Sequence, residues 1–171
     1  MRGTGVAEIR LTRKGESSVA TGVAVLDHLI AELARTGGFE LRLEIAPSEP
    51  ETEVGAAGEA LGRALAPFLE ATWVTGRGVG IVPADEALAM VVVEVSDNPL
   101  VASNADLTST RAGGLRTDLA AAFLESLAEA AGLTIHVRLM EGEDSQHVLS
   151  AIFKALGVAL GEACSEPPPR R

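Results

Sequence analysis

The sequence has few of the residues on which cross-linked, metal-rich or membrane-bound proteins depend. Among its 171 residues there is one cysteine, Cys164, with one tryptophan, no tyrosine and three histidines. A single cysteine excludes an internal disulfide framework and a multi-cysteine zinc site. No apolar run reaches the roughly 18 residues that a membrane-spanning helix needs, so we expect no membrane segment. The first residues, Met1 to Thr4, lack the apolar core of a secretory signal, and we expect a cytoplasmic protein.

Basic residues are also scarce: 14 stand against 24 acidic ones, for a formal net charge of −10. A uniformly acidic surface repels nucleic-acid phosphates and anionic lipid. Since no basic stripe with interleaved aromatics is present, we expect neither nucleic-acid nor membrane partners. Hydrophobic residues, in contrast, make up 47% of the chain. That content and length suit one domain, or two small similar halves packed together.

Two short blocks recur in the same order about 95 residues apart. Residues 38–43 (GFELRL) resemble residues 132–137 (GLTIHV), and residues 60–65 (ALGRAL) match residues 155–160 (ALGVAL). Because both blocks keep their order and spacing, the sequence predicts a duplicated half-domain. We expect the halves to span residues 1–74 and 75–164, and residues 165–171, with three consecutive prolines, to form a disordered tail.

Hydrophobic periodicity predicts strands and helices in both halves. Alternating apolar residues predict strands at 7–11, 17–21, 39–45, 81–83, 90–95 and 133–139. Apolar residues at helical spacing predict helices covering 26–33, 57–68, 119–127 and 148–160. Elements with one apolar face each must bury those faces against one another. The expected fold is therefore α+β, with four helices sandwiched between two mixed β-sheets.

Four segments resemble motifs of imidazoleglycerol-phosphate dehydratase, a hydro-lyase of histidine biosynthesis. They are residues 21–29 (TGVAVLDHL), 83–88 (PADEAL), 96–99 (SDNP) and 151–155 (AIFKA), beside the family patterns TGxxFLDHM, PMDEAL, SGRP and EAxFKA. They stand in the family's order at roughly its spacing, and together they cover nearly the whole chain. The resemblance implies a duplicated half-domain of the ribosomal protein S5 domain 2-like type, in agreement with the repeat. It also implies a homo-oligomer, either a trimer or a 24-mer built from trimers.

The family's chemistry uses two manganese ions, each held by histidine and glutamate side chains of neighbouring subunits. Metals that coordinate the imidazole stabilise the negative charge that develops as water leaves. Of the eight ligand positions that the family pattern implies, only two keep a ligand in this sequence, His28 and His147. The other six fall on Glu51, Thr52, Gly55, Ala122, Gln146 and Ser150. We therefore expect the manganese site to be largely lost and no cofactor to be bound.

The same resemblance points to four further site residues. Asp85 and Glu86, in the segment similar to PMDEAL, are the catalytic candidates for proton transfer. Arg77 and Lys154 are the candidates for holding a substrate phosphate, whereas Asn98 replaces the arginine of the SGRP pattern. Simpler roles stay open for these positions: turn chemistry at 85–86 and solvation at 154. The surviving histidines equally suit a satisfied half-buried ring at 28 and a cap or surface group at 147.

Three functions remain open on the sequence. The first is a catalytically inactive or altered family member that serves as an assembly or regulatory subunit, beside an intact paralogue. The second is a working dehydratase with a rearranged metal site. The third is a small-molecule binding protein, or an enzyme of another reaction, that uses the same cleft. The number of replaced ligands favours the first and third, because a fold does not carry a function once its site is gone.

Overall fold

The computed structural model describes residues 5–11, 16–105, 111–112 and 115–170. Within these ranges the strands are β1 (Gly5–Leu11), β2 (Ser18–Ala20), β3 (Phe39–Ile45), β4 (Arg77–Ala84), β5 (Ala87–Val95), β6 (Leu100–Ser103), β7 (Arg111–Ala112), β8 (Leu115–Arg116) and β9 (Leu133–Glu141). The helices are α1 (Ala24–Gly37), α2 (Pro50–Leu69), α3 (Thr117–Ala131) and α4 (Ser145–Ala163). Pro50 begins α2, where a missing N–H costs no hydrogen bond.

The two larger sheets repeat one pattern. In the first, with the order β1-β3-β2, β3 pairs antiparallel with β1 and parallel with β2. In the second, with the order β4-β5-β9-β6, β9 pairs antiparallel with β5 and parallel with β6. The units β1-β3-β2 and β5-β9-β6 therefore correspond, and β4 is added at one edge. This topology confirms the α+β fold with two mixed sheets, whereas the proposed boundaries of the halves and the tail stay predictions.

The four helices form the inner layer and carry the core. Helices α1 and α2 pack on the first sheet, α3 and α4 pack on the second, and the pairs α1–α4 and α2–α3 contact each other. The core is mostly aliphatic, and its two largest buried side chains, Phe123 and Phe153, stack with ring centroids 5.5 Å apart. No helix in the described parts of the chain is both long and apolar enough to cross a bilayer.

The repeated ALG blocks place a glycine at each helix crossing. A Cβ atom on Gly62 would lie 2.9 Å from the carbonyl oxygen of Leu127 in α3. A Cβ atom on Gly157 would overlap the carbonyl oxygen of Leu33 in α1. Real Cβ atoms are not found at such distances, so both helix pairs meet with backbone against backbone. The sequence repeat is therefore a repeat of one packing arrangement.

The crossing of α1 and α4 predicts that Gly157→Ala lowers the free energy of unfolding by about 1–3 kcal/mol, the usual cost of overpacking. The added methyl group has no room against α1. The matched control is Gly55→Ala in α2, where the nearest atom, Oγ of Ser126, would lie 3.8 Å from the new Cβ. Helix propensity favours alanine there by about 0.5–1 kcal/mol. Urea unfolding followed by circular dichroism measures both variants, and equal stabilities would contradict the tight crossing.

Candidate functional site

A cleft of about 500 Å³ lies where α1, α4 and the end of β4 meet. Its wall contains four of the predicted site residues: His28 from α1, Asp85 after β4, and His147 and Lys154 from α4. The wall is completed by Val25, Leu29, Glu32, Pro83, Ala84, Gln146, Leu149 and Ser150. The fold thus brings both surviving histidines into one cavity, although they lie 119 positions apart in the chain.

Local structure at the start of α4 fixes the position of His147. The Asp144 side chain caps the helix and accepts hydrogen bonds from the backbone N–H groups of Gln146 and His147. Glu86 accepts the backbone N–H of Asp144 at 3.0 Å, and its other carboxylate oxygen lies 2.5 Å from Nδ1 of His147. On the opposite side of the ring, Nε2 lies 3.4 Å from a carboxylate oxygen of Asp85. The imidazole therefore lies between two carboxylates.

These contacts shift two pKa values in opposite directions. The hydrogen bond from the Asp144 backbone, followed by the one with His147, lowers the pKa of Glu86 from 4.5 to about 2. The hydrogen bond with Glu86 in turn raises the pKa of His147 above its ordinary 6.5, against the opposing effect of burial. A protonated imidazole has two N–H donors and no lone pair for a metal. A carboxylate on Nδ1 also orients metal-bound imidazoles, but here Nε2 faces Asp85.

A second carboxylate in the wall, Glu32, was missed by the sequence reasoning. Its side chain is only 13% exposed, and it accepts the Ser150 hydroxyl at 2.8 Å. Nζ of Lys154 lies 3.6 Å from Glu32, and Nε2 of His28 lies 3.5 Å from it. Part of the signal was local, because Glu32 follows His28 by four residues on one helix face. The contacts with α4 join residues 118 and 122 positions apart.

The structure bears on two of the sequence predictions, those for His28 and Arg77. The alternative of a half-buried His28 is wrong, since its side chain is 70% exposed, and the neighbouring Asp27 instead accepts the Thr21 backbone N–H at 2.8 Å. Arg77 begins β4, at the end opposite to Asp85, and its Nε lies 2.8 Å from Glu94. A strand of that length separates its ends by more than about 20 Å. Within one subunit Arg77 is thus remote from the cleft, and its phosphate role stays a prediction.

The donor set of one subunit does not fit a di-manganese centre. Across the residues that the structure describes, no three histidine, cysteine, aspartate or glutamate side chains converge as a metal site requires. Two family ligand positions in the cleft wall carry Gln146 and Ser150, and the Ser150 hydroxyl is directed at Glu32. Within the described part of one subunit, the two imidazoles are therefore not joined by the further ligands that a manganese ion needs.

Comparison with known proteins agrees with this fold. The model of the imidazoleglycerol-phosphate dehydratase family matches residues 21–160. The chain belongs to this family. Among curated relatives, the imidazoleglycerol-phosphate dehydratase of Clostridium botulinum (strain Kyoto / Type A2) is 34% identical, covering 92% of this chain and 82% of its own. That of Methanocella arvoryzae is 36% identical, covering 93% and 84%.

Solved structures of the family superimpose closely on the chain. The dehydratase from Staphylococcus aureus matches with a TM-score of 0.85 and 30% identity, over 94% of this chain and 93% of that one. The dehydratase from Pyrococcus furiosus matches with a TM-score of 0.84 and 29% identity, over 95% and 89%. The predicted family and its duplicated fold are therefore both confirmed.

The contact between Glu86 and His147 predicts a pH window of stability. Glu86 contributes above pH 4.5, and its contribution is lost as the pH falls through about 2. His147 contributes below pH 6.5, and its contribution is lost as the pH rises through its raised pKa. The pair therefore stabilises the fold most between these two ordinary pKa values, and Glu86→Gln should remove that maximum.

Urea unfolding of the wild type and Glu86→Gln, at about pH 5.5 and about pH 9, measures this difference. An NMR titration of the His147 ring should also show a lower pKa in the variant. Glu143→Gln, in the loop between β9 and α4, is the matched control and should leave the profile unchanged, because only the backbone N–H of Glu143 contacts Glu86. A loss of stability equal at both pH values would show that Glu86 stabilises the fold only through its hydrogen bonds with backbone N–H groups, such as that of Asp144.

Proposed function

We propose that this family member has lost most of its di-manganese site and does not catalyse the dehydration of imidazoleglycerol phosphate. The observation that carries the proposal is the donor set of the cleft, where two imidazoles remain without a converging third ligand. Manganese affinity depends on the number and geometry of its ligands and on the groups that orient them. Four of the six replaced positions carry threonine, glycine, alanine and serine, at Thr52, Gly55, Ala122 and Ser150.

The remaining groups support binding and modest proton transfer. Asp85 and Glu86 orient His147, and Lys154 supplies a positive charge at the far side of the wall. General acid–base help of this kind contributes about 10²–10⁴ in rate. No described residue of the cleft supplies the charge that two metal ions would offer to the imidazole ring. The protein therefore acts as a binding or assembly subunit with the fold of the enzyme.

The second candidate function is a working dehydratase with a rearranged metal site. One observation favours it: a carboxylate on Nδ1, such as Glu86 on His147, also orients imidazoles that bind a metal through Nε2. This candidate requires Asp85 to leave Nε2, and it requires ligands from neighbouring subunits.

Metal analysis combined with a turnover assay separates the two functions. After dialysis against manganese, we expect substoichiometric metal and no keto product from imidazoleglycerol phosphate. The Staphylococcus aureus relative serves as a parallel positive control. Gln146→His combined with Ser150→Glu, which supplies two replaced ligands in one wall, should raise the manganese that is retained. Two manganese ions per wild-type chain, with product at ordinary enzyme rates, would refute the proposed loss.

We also propose that the chain is a homo-oligomer, either a trimer or a 24-mer. The outer face of the second sheet supports this, because Val79 and Ile81 are 40% and 57% exposed there. They pair with Val92 and Met90 across the strands, so the part of the face formed by β4 and β5 is apolar there. On the first sheet the corresponding face pairs Glu8 with Arg42.

Light scattering at micromolar concentration tests this proposal. We expect a mass of at least three chains for the wild type and a smaller mass for Ile81→Glu, which places a charge in the apolar face. Val6→Glu is the matched control, since Val6 is 66% exposed on the other sheet. A monomeric wild type would contradict the proposal.

A further inference from the structure

The wall of the cleft contains one lysine or arginine among its described residues, and that lysine is already paired. Lys154, the position that the family resemblance assigns to a substrate phosphate, has its Nζ 3.6 Å from Glu32. We propose that Glu32 is a specificity-determining residue that closes this cleft to phosphate esters. The cleft then accepts uncharged or cationic small molecules. This inference deepens the proposed function, and it rests on it only in taking the cleft as the ligand site.

The geometry opposes a phosphate directly. A phosphate oxygen that binds an ammonium group approaches to about 2.7–2.9 Å. At Lys154 such an oxygen would stand beside the Glu32 carboxylate, which already lies against the same Nζ. Like charges at that distance repel, and a repulsive group of this kind rejects one class of ligand as effectively as a contact selects another.

Other donors that a phosphate would use are also engaged by Glu32. The Ser150 hydroxyl donates to it at 2.8 Å, and Nε2 of His28 lies 3.5 Å from it. The side chains of Glu32 and Lys154 are only 13% and 22% exposed, so solvent and salt screen their interaction weakly. The Glu32 carboxylate thus lies among the Ser150 hydroxyl, the Lys154 ammonium and the His28 ring.

Helix packing prevents α1 from moving away from α4, so Glu32 cannot leave Lys154 by a shift of its helix. One turn further along α1, the Thr36 hydroxyl donates to the backbone carbonyl of Lys154 at 2.9 Å. Leu33, the residue after Glu32, rests its carbonyl oxygen against Gly157. These backbone contacts fix the separation of α1 and α4 at the height of the pair. An anion can therefore contact the Lys154 ammonium group only by displacing the Glu32 side chain.

Titration with inorganic phosphate and with glycerol phosphate, in EDTA and observed by ³¹P NMR, tests the inference. The wild type should show no saturable binding. Glu32→Gln keeps the shape and the acceptor for Ser150 but removes the charge, and it should gain at least about tenfold in phosphate affinity. The double variant Glu32→Gln/Lys154→Met should lose that gain. Glu59→Gln is the matched control, because Glu59 forms an ion pair on α2 with Arg63 and does not line the cleft.

Each outcome decides the matter. The inference would be overturned if the wild type bound phosphate with the affinity of Glu32→Gln and Lys154→Met abolished that binding. It would also be overturned if Glu32→Gln folded but gained no phosphate affinity. Should that variant not fold, Glu32→Ala replaces it, and the wild-type titration still stands as a test. Manganese retention without phosphate binding would refute the proposed function alone. Phosphate binding without manganese would refute this inference alone.

Discussion

The cleft depends on one constraint, the contact of the α4 backbone at Gly157 with the α1 backbone at Leu33. The distance between packed helices is set by the side chains at their contact, and glycine allows the smallest value. At that distance the side chains one turn away meet across the crossing, which is why Glu32 reaches Ser150 and Lys154. A larger residue at 157 would separate both the core layers and the wall of the site.

Two carboxylates at the cleft, Glu32 in its wall and Glu86 beside His147, are stabilised by donors of the protein itself. Glu86 has the backbone N–H groups at the start of α4 and the ring of His147, and Glu32 has the Ser150 hydroxyl and the ammonium of Lys154. A carboxylate taken partly out of water needs such partners, or a metal ion in their place. Here lysine, histidine and backbone amides supply the positive charge. This arrangement agrees with the proposed loss of manganese, because neither Glu32 nor Glu86 depends on a metal for its partner.

Local patterns predicted the four helices and most strands, because hydrophobic periodicity is a property of each segment alone. They also predicted four residues of the cleft wall through motifs that resemble the family. They failed where position depends on tertiary distance. Arg77 and Asp85 are only eight positions apart in the sequence, yet the extended strand β4 carries them to opposite ends. The importance of Glu32 arises from α4, more than a hundred residues away, so no window around Glu32 contains it.

The duplication explains how ligands can change while the fold persists. A shift of 94 or 95 residues relates the two helix crossings, and it carries Gly157 onto Gly62 and Gly38 onto Gly132. The same shift carries His28 onto Ala122, His147 onto Thr52 and Ser150 onto Gly55. The eight ligand positions that the family resemblance implies therefore form two equivalent sets, one at each crossing.

In this chain the crossing of α1 and α4 keeps two histidines of its set, and the crossing of α2 and α3 keeps none of its own. Both crossings keep the glycine on which the packing depends. The glycines are required by steric overlap with a carbonyl oxygen, a constraint that holds whether or not a metal binds. The ligand positions are required only by the metal. Under the proposed loss of manganese chemistry, those positions are free to vary separately, while the two helix crossings are not.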